Sequence, residues 1–203
     1  MDTQDDLQQA LTVLSPADRE RVREYVAFLR WRAGRNQAGV EAAGEAERPW
    51  RFNFLEHFTD AEVRASRGAS GMEVKIAETA VGDESRPALW MHPPVAGEAT
   101  AEYHVAVPAG LRDLRLRFSI GVREGAPAAD QLVAFRVRVD GWQVWSRAAW
   151  PATWQPFEIA LPFQAGNVLR LTFATDALGS HQFAWAVWGE PELVGVEGLK
   201  GEG

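Results

Sequence analysis

Four tryptophans that lie close together in the sequence are the residues best suited to ligand chemistry. They are Trp142, Trp145, Trp150 and Trp154. A sugar ring presents a C–H face that packs on an exposed aromatic ring, while a few polar groups fix its orientation. The four indoles therefore offer a glycan-binding surface. The competing interpretation is packing, because Trp is also a common residue of sheet cores; strand alternation predicts that Trp142 and Trp145 point to opposite faces.

Other chemistries find little support among the residue types. The chain has no Cys, which excludes disulfides, thiolate metal sites and Cys nucleophiles. Its four His residues form no H-x-H or H-E-x-x-H pair, so a zinc site is not expected. No motif singles out a pair of carboxylates, a serine nucleophile or a phosphate-binding loop. We therefore predict that the protein is not an enzyme and uses no cofactor.

The composition is that of a globular, acidic protein. Apolar residues make up 46% of the 203 residues and charged residues 24%, and the formal net charge is −7. Nucleic-acid affinity rests on Lys and Arg contacts with phosphates, and no basic stripe interrupts this acidic balance. We predict no nucleic-acid partner. No apolar run is long enough to span a membrane, and the acidic start MDTQDDLQQA does not resemble a signal peptide. The sequence as given predicts a cytoplasmic protein, or an extracytoplasmic one if a signal has been removed.

The second half of the chain alternates apolar and polar residues, as half-buried β-strands do. Residues 114–122 place Leu, Phe, Ile and Val between Arg, Ser and Gly. Residues 135–139 continue this pattern into Asp140-Gly141, a strong hairpin signal. Weaker strand patterns occupy residues 72–76 and 88–91. Many short strands separated by turn residues predict an antiparallel β-sandwich over residues 49–196, followed by a tail at 197–203.

The N-terminal segment has helical periodicity. We predict a short α-helical hairpin, the arm, over residues 1–33, with a cap at Ser15-Pro16. Residues 34–48 are rich in Ala, Gly and Glu and predict a flexible linker. Each helix is too short to be stable alone, so its apolar stripe must pack on the arm, the sandwich or another chain. The stripe residues that would bind a partner are Leu7, Leu11, Leu14, Val22, Val26 and Leu29.

Several segments of the β region together carry a family resemblance. Residues 135–141 read F-x-V-x-V-D-G, residues 154–157 read WQPF, and residues 185–191 read WAVWGEP. The stretch of about 50–195 resembles jelly-roll carbohydrate-binding-module-like β-sandwich domains. The resemblance implies a jelly-roll fold and a glycan ligand. Related modules often place Asp in the closing strand, where this chain has Ala184, Ala186 and Val187, which argues against chemistry that needs those acids.

Such domains often hold a structural calcium ion, which requires six to eight oxygen ligands. Asp83, Asp176 and Glu190 lie near predicted turns and are the candidate ligands; the competing interpretation is that they are solvated turn carboxylates. The arm is similar to the short helical segments of small antitoxin-like proteins, through residues 14–18 and 26–30.

Two functions follow from these patterns. In the first, the protein is a non-catalytic assembly or structural protein: the arm drives oligomerisation, or binds another protein, and the sandwich is a building block. In the second, the sandwich is a carbohydrate-binding module that recognises a glycan through exposed aromatic residues. The added arm and the missing closing-strand acids favour the first, and the fold resemblance favours the second. The ligand, the partner and the oligomeric state are left open.

Overall fold

The computed structural model describes residues 47–126, 132–163 and 165–198. The predicted arm, with its six stripe residues, lies outside these ranges, as does nearly all of the predicted linker. The described residues form eleven strands and one 3₁₀ turn, Phe58–Asp60, with no α-helix. None of their helical segments is long and apolar enough to cross a bilayer. The strands are β1 (Glu47–Asn53), β2 (Glu62–Ala65), β3 (Glu73–Val81), β4 (Glu84–His92), β5 (Glu98–Ala106), β6 (Leu111–Val122), β7 (Val133–Val139), β8 (Trp142–Ala149), β9 (Gln155–Ala160), β10 (Val168–Ala177) and β11 (Ala186–Gly198).

The strands form two antiparallel sheets. Sheet A has the order β3-β4-β11-β6-β9, and β1 pairs with the C-terminal part of β11. Sheet B has the order β2-β5-β10-β7-β8. The two sheets share one apolar core, in which Trp188 of sheet A lies 5.0 Å from Phe173 and 5.4 Å from Phe135 of sheet B, ring centre to ring centre. The prediction of a mostly β, antiparallel sandwich is confirmed.

The sequence patterns explain which faces are buried. In β6 the apolar side chains of Leu114, Leu116 and Ile120 are fully buried, while Arg115 and Arg117 lie on the outer face of the sheet. Each side chain deleted from such a close-packed interior would leave a cavity, at a cost of about 2–5 kcal/mol for Leu to Ala. Because burial of these apolar side chains is strongly favourable, the alternation of apolar and polar residues determines which face of β6 packs against sheet B.

The β7–β8 hairpin turns at Asp140-Gly141, as predicted. Both residues have left-handed backbone angles, φ 51° and 86°, as a type I′ turn requires. The register then shifts by one residue in β8, because Val139 pairs with Trp142 whereas Val137 pairs with Trp145. This bulge places Trp142 and Trp145 on the same face of the sheet. The expectation that they point to opposite faces was wrong, because simple alternation does not include an inserted residue.

A second, smaller cluster covers the outer face of sheet A. We call it the outer cluster; it contains Val81, Ala88, Trp90, Trp154 and Val187. Two glycines make room for it. A Cβ on Gly121 would lie 2.7 Å from a methyl group of Val81, and a Cβ on Gly189 would lie 2.8 Å from the ring of Trp154. Trp185, which belongs to the candidate site described below, packs against the outer cluster.

Candidate functional site

One end of the sandwich collects exposed apolar side chains. The loops that follow β2, β4, β6 and β10 leave from this end, since the start of β11 pairs with the ends of β4 and β6. Four of the seven large hydrophobic side chains exposed in the described residues lie in these loops: Val95, Leu132, Leu178 and Phe183. We therefore take this end as the candidate binding surface.

The β10–β11 loop presents the aromatic part of this surface. Its turn is held by two hydrogen bonds: the Ala184 N–H donates to the carbonyl of His181 at 3.1 Å, and the Trp185 N–H donates to the carbonyl of Phe183 at 2.6 Å. Phe183 has a left-handed φ of 63° and its side chain is 42% exposed. A bulky residue in this conformation is uncommon and strained, and such strain concentrates at functional sites. The loop therefore holds an aromatic ring in solvent against its local preference.

Trp185 connects the exposed ring to the outer cluster. Its half-buried indole contacts Phe183 edge-on at 5.6 Å and lies 6.3 Å from the indole of Trp90. The guanidinium of Arg123 lies over both indoles, 5.2 Å from the ring of Trp90 and 5.4 Å from that of Trp185. The backbone is also fixed here, because the Arg123 N–H donates to the carbonyl of Trp185 at 2.9 Å. We call Arg123, Phe183 and Trp185 the aromatic end.

A histidine holds the loop on its other side. His92, the last residue of β4, has Nδ1 2.9 Å from the carbonyl oxygen of Ala184, an arrangement in which Nδ1–H donates. Burial lowers the pKa of His92 below its ordinary value of 6.5; the bond to Ala184 opposes this shift, and nearby His181 adds to it. The His92 and His181 rings lie 6.0 Å apart. A neutral His92 is therefore the form that the folded loop favours.

The aromatic end has the components of a small polar-ligand site. Phe183 supplies ring surface that is open to solvent, the half-buried Trp185 lies beside it, and Arg123 supplies up to five N–H donors. The backbone around these side chains is tied to β4 and β6 by the hydrogen bonds described above. Such a site can take a ligand ring by stacking and orient it through hydrogen bonds.

The four tryptophans singled out in the sequence are not brought together by the structure. Trp145 packs in the main core, 4.9 Å from both Phe118 and Phe157. Trp154 belongs to the outer cluster, is 8% exposed, and donates its indole N–H to the carbonyl of Glu84 at 2.9 Å. Trp150 is half-buried against the main core, and Trp142 is half-buried on β8. Packing thus accounts for Trp145 and Trp154, and the glycan role assigned to the four stays a prediction.

The three proposed calcium ligands lie on different parts of the molecule. Asp83 is in the β3–β4 turn, Asp176 lies on sheet B 3.4 Å from Arg136, and Glu190 lies on sheet A 3.7 Å from Arg86. Over residues 47–126, 132–163 and 165–198, no three His, Cys, Asp or Glu side chains are grouped so that they could hold a metal ion. The structure therefore does not assemble the predicted calcium site.

A polar groove on sheet A is a second candidate surface. It has a volume of about 430 Å³ and is lined by Arg51, Arg117, Glu158, Glu190 and Glu192, among others. Its charges pair with one another: Glu158 accepts from Arg117 at 2.6 Å and from Arg115 at 2.9 Å. These two hydrogen bonds lower the pKa of Glu158, and the bond from Arg117 has the larger effect. Because the groove satisfies its own charges, it has less to offer a ligand than the aromatic end.

Sequence reasoning did not identify the aromatic end. Trp185 entered only as the first residue of the WAVWGEP motif and Phe183 in no motif, and both precede β11, which begins at Ala186. The left-handed position itself is occupied by Phe, and not by Gly, Asn or Asp, the residues that usually indicate such a turn in a sequence. Two nearby aromatics immediately before a strand were the available signal.

Comparison with known proteins gives a fold-level likeness. No protein-family model matches the chain, and no curated protein is similar to it. Among solved structures, CBM51 from Clostridium perfringens GH95 in complex with methyl-galactose is 14% identical, covering 71% of this chain and 99% of its own, with a TM-score of 0.48.

Two further structures show the same degree of similarity. A family 35 carbohydrate binding module from Clostridium thermocellum is 15% identical over 72% of this chain and 97% of its own, with a TM-score of 0.41. The CBM22-1 xylan-binding domain from Paenibacillus barcinonensis Xyn10C is 14% identical over 77% of this chain and 100% of its own, with a TM-score of 0.46. At these identities and TM-scores the likeness does not bear on what this chain binds.

Proposed function

We propose that the sandwich is a non-catalytic glycan-binding module whose ligand stacks on the aromatic end. The observation that carries this function is the exposed Phe183 ring, held by a left-handed backbone and set edge-on against Trp185. A left-handed φ is costly for a bulky residue, and such strain concentrates at functional sites. It is this geometry, and not the likeness to solved structures, that supports the proposal.

The chemistry of the site suits a sugar better than a purely apolar ligand. Stacking on an aromatic ring uses the C–H face of the sugar, and hydrogen bonds from a nearby guanidinium and from loop backbone groups meet its hydroxyls. Phe183 and Arg123 are both exposed, which fits the terminal or internal residue of an oligosaccharide. A few such contacts give modest affinity, because the ordering costs of binding offset most of the contact energy.

The test is titration of the full chain with a panel of soluble neutral and acidic oligosaccharides. Binding is measured by intrinsic Trp fluorescence and by calorimetry. Phe183→Ala and Trp185→Ala should each weaken binding about tenfold or more, since losing one buried anchor costs about 2 kcal/mol. Trp142→Ala, which removes a half-buried ring elsewhere, is the control. Circular dichroism shows whether each variant folds.

Two results would count against this function. If no oligosaccharide in the panel binds, the aromatic end is not a glycan site. If Trp142→Ala or Trp150→Ala abolishes binding while Phe183→Ala does not, the ligand lies at the tryptophans first picked from the sequence. Association through the arm is a separate prediction, because its stripe residues lie outside the described ranges.

A further inference from the structure

The arginines of the sandwich differ in how their charges are satisfied. Most of them pair with carboxylates: Arg51, Arg64, Arg86, Arg115, Arg117, Arg136, Arg138 and Arg170. Within the described ranges Arg123 makes no ion pair and no side-chain hydrogen bond, and its side-chain contacts are with two indole rings. Its position is nevertheless defined, because the guanidinium lies over the rings of both Trp90 and Trp185, which are themselves neighbours 6.3 Å apart.

Contact with two aromatic rings restricts the motion of the Arg123 guanidinium and, in the part of the chain that the structure describes, leaves its N–H donors without a hydrogen-bond acceptor. A cation over an aromatic face is attracted by about 0.5–2 kcal/mol, and the N–H groups in the guanidinium plane stay available. Trp90 is 4% exposed and fixed within the outer cluster, so it provides a rigid base. Arg123 itself is exposed. The result is a positioned, accessible pair of N–H donors that carries a full positive charge.

The charged neighbours do not neutralise this group. The carboxylate of Glu73 is already paired with the ammonium of Lys75 at 2.7 Å. That ammonium also lies over the Trp90 ring, at 5.3 Å. The side chain of Glu124, next in the chain, is exposed and forms no ion pair with Arg123 among the residues described. The protein as a whole carries a formal charge of −7, so it does not attract anions by its overall field. An anion would have to be recognised locally.

We propose that the aromatic end selects glycans that carry an anionic substituent, a carboxylate or a sulfate, which accepts paired hydrogen bonds from Arg123. This inference rests on the proposed glycan-binding function and adds the ligand class. Planar guanidinium and carboxylate groups form two parallel N–H···O bonds, and a sulfate offers the same acceptor spacing. The sugar ring stacks on the exposed Phe183 ring, which meets the Trp185 indole at 70°, and its charged group reaches the guanidinium that lies over that indole.

The experiment compares three probes of equal length: a galacturonic acid trimer, a neutral galactose trimer and a sulfated galactose trimer. Binding to the full chain is measured by calorimetry at low and at physiological salt. We expect the wild type to bind at least one acidic trimer about tenfold or more tighter than the neutral one, as a charge-assisted hydrogen bond allows. The preference should weaken with salt, and the two acidic trimers identify the favoured anion.

Three variants locate the interaction. Arg123→Gln should bind acidic and neutral trimers equally, and Arg123→Lys should recover only part of the preference, because an ammonium lacks the planar pair of donors. Arg147→Gln is the matched control. Arg147 also lies over an aromatic ring, 5.7 Å from that of Phe157, with no ion pair among the described residues, but it belongs to β8.

The outcomes separate this inference from the function on which it rests. If acidic and neutral trimers bind equally well to the wild type, glycan binding stands and the anion preference is wrong. If Arg123→Gln keeps the preference, or Arg147→Gln loses it, the anion contact lies elsewhere and the inference is also wrong. If none of the three trimers binds and the wider panel does not bind either, the proposed function itself fails.

Discussion

Phe183 shows the conflict between stability and function at a single residue. Its left-handed φ of 63° costs a residue with a Cβ about 1–2 kcal/mol, and glycine adopts it freely. We expect Phe183→Gly to be more stable than Phe183→Ala by about 1 kcal/mol, after the entropy that glycine loses on folding. Both variants should bind the ligand about tenfold or more weakly, because both lack the ring.

Urea denaturation of the two variants measures this difference. The pair is matched because each lacks the phenyl group and only the alanine retains a Cβ. A glycine variant that is less stable than the alanine variant would mean that Phe183 is not strained, and the structural support for a functional ring would weaken.

The residue scale is also where sequence reasoning reached its limit. Nine Trp predict aromatic chemistry, but ring exposure depends on packing that no local pattern encodes. Trp145 and Trp185 are both half-buried, yet one packs against the main core and the other against the outer cluster. The position of Trp145 depends on the bulge in the β7–β8 hairpin, and that of Trp185 on where β11 begins, which is decided by pairing with the distant strands β4 and β6.

At the scale of elements, His92 links the end of β4 to the loop that carries Phe183. Burial lowers its pKa below 6.5, so the unfolded chain takes up a proton at this residue at a higher pH than the folded chain does. The contribution of His92 to stability is therefore fully present above pH 6.5 and is lost as the pH falls through its lowered pKa. His181 and Glu73 are the charged or titratable groups near it: the first lowers its pKa and the second raises it.

We expect the free energy of unfolding to fall between pH 7.5 and 5.5, and His92→Asn to reduce that fall. Asparagine can still donate to the carbonyl of Ala184 but does not titrate. Thermal or urea unfolding at several pH values measures the slope, and the ring resonances of His92 report its titration directly. Equal slopes in the wild type and the variant would show that His92 does not couple the pH to folding.

Elements were more predictable than the site. The alternation in residues 114–122 and 135–139 and the Asp140-Gly141 turn predicted β6, β7 and the β7–β8 hairpin, because period-2 patterning reports directly on a half-buried strand. The short edge strand β2 and strand β1 carried no such signal. Their positions depend on partners far along the chain, as with β1 and β11, which pair from Glu47↔Gly198 to Asn53↔Glu192.

At the scale of the whole molecule, the outer face of sheet B carries its own charge network. Glu98 accepts hydrogen bonds from Arg136 at 2.6 Å and from Arg138 at 2.7 Å, and Asp176 also contacts Arg136 at 3.4 Å. These side chains are only 18–25% exposed, so their pairing is less screened than that of exposed ion pairs. With its charges paired, this face does not compete with the aromatic end for an anionic ligand.

The arm and the aromatic end would act together if the arm associates. An oligomer carries several aromatic ends, and on a polysaccharide surface each further contact is intramolecular, which can raise the apparent affinity by about 10²–10⁴-fold. We expect a double variant, Leu11→Glu with Val26→Glu, to give the mass of one chain by light scattering while the wild type gives a multiple of it. Its affinity for a soluble trimer should be unchanged, but its retention on immobilised polysaccharide should fall at least tenfold.

Leu11 and Val26 are stripe positions, so an exchange of Gln8→Glu, off the stripe, serves as the control. A wild type that is monomeric at the concentrations used for binding would rule out self-association through the arm and leave a second protein as its partner.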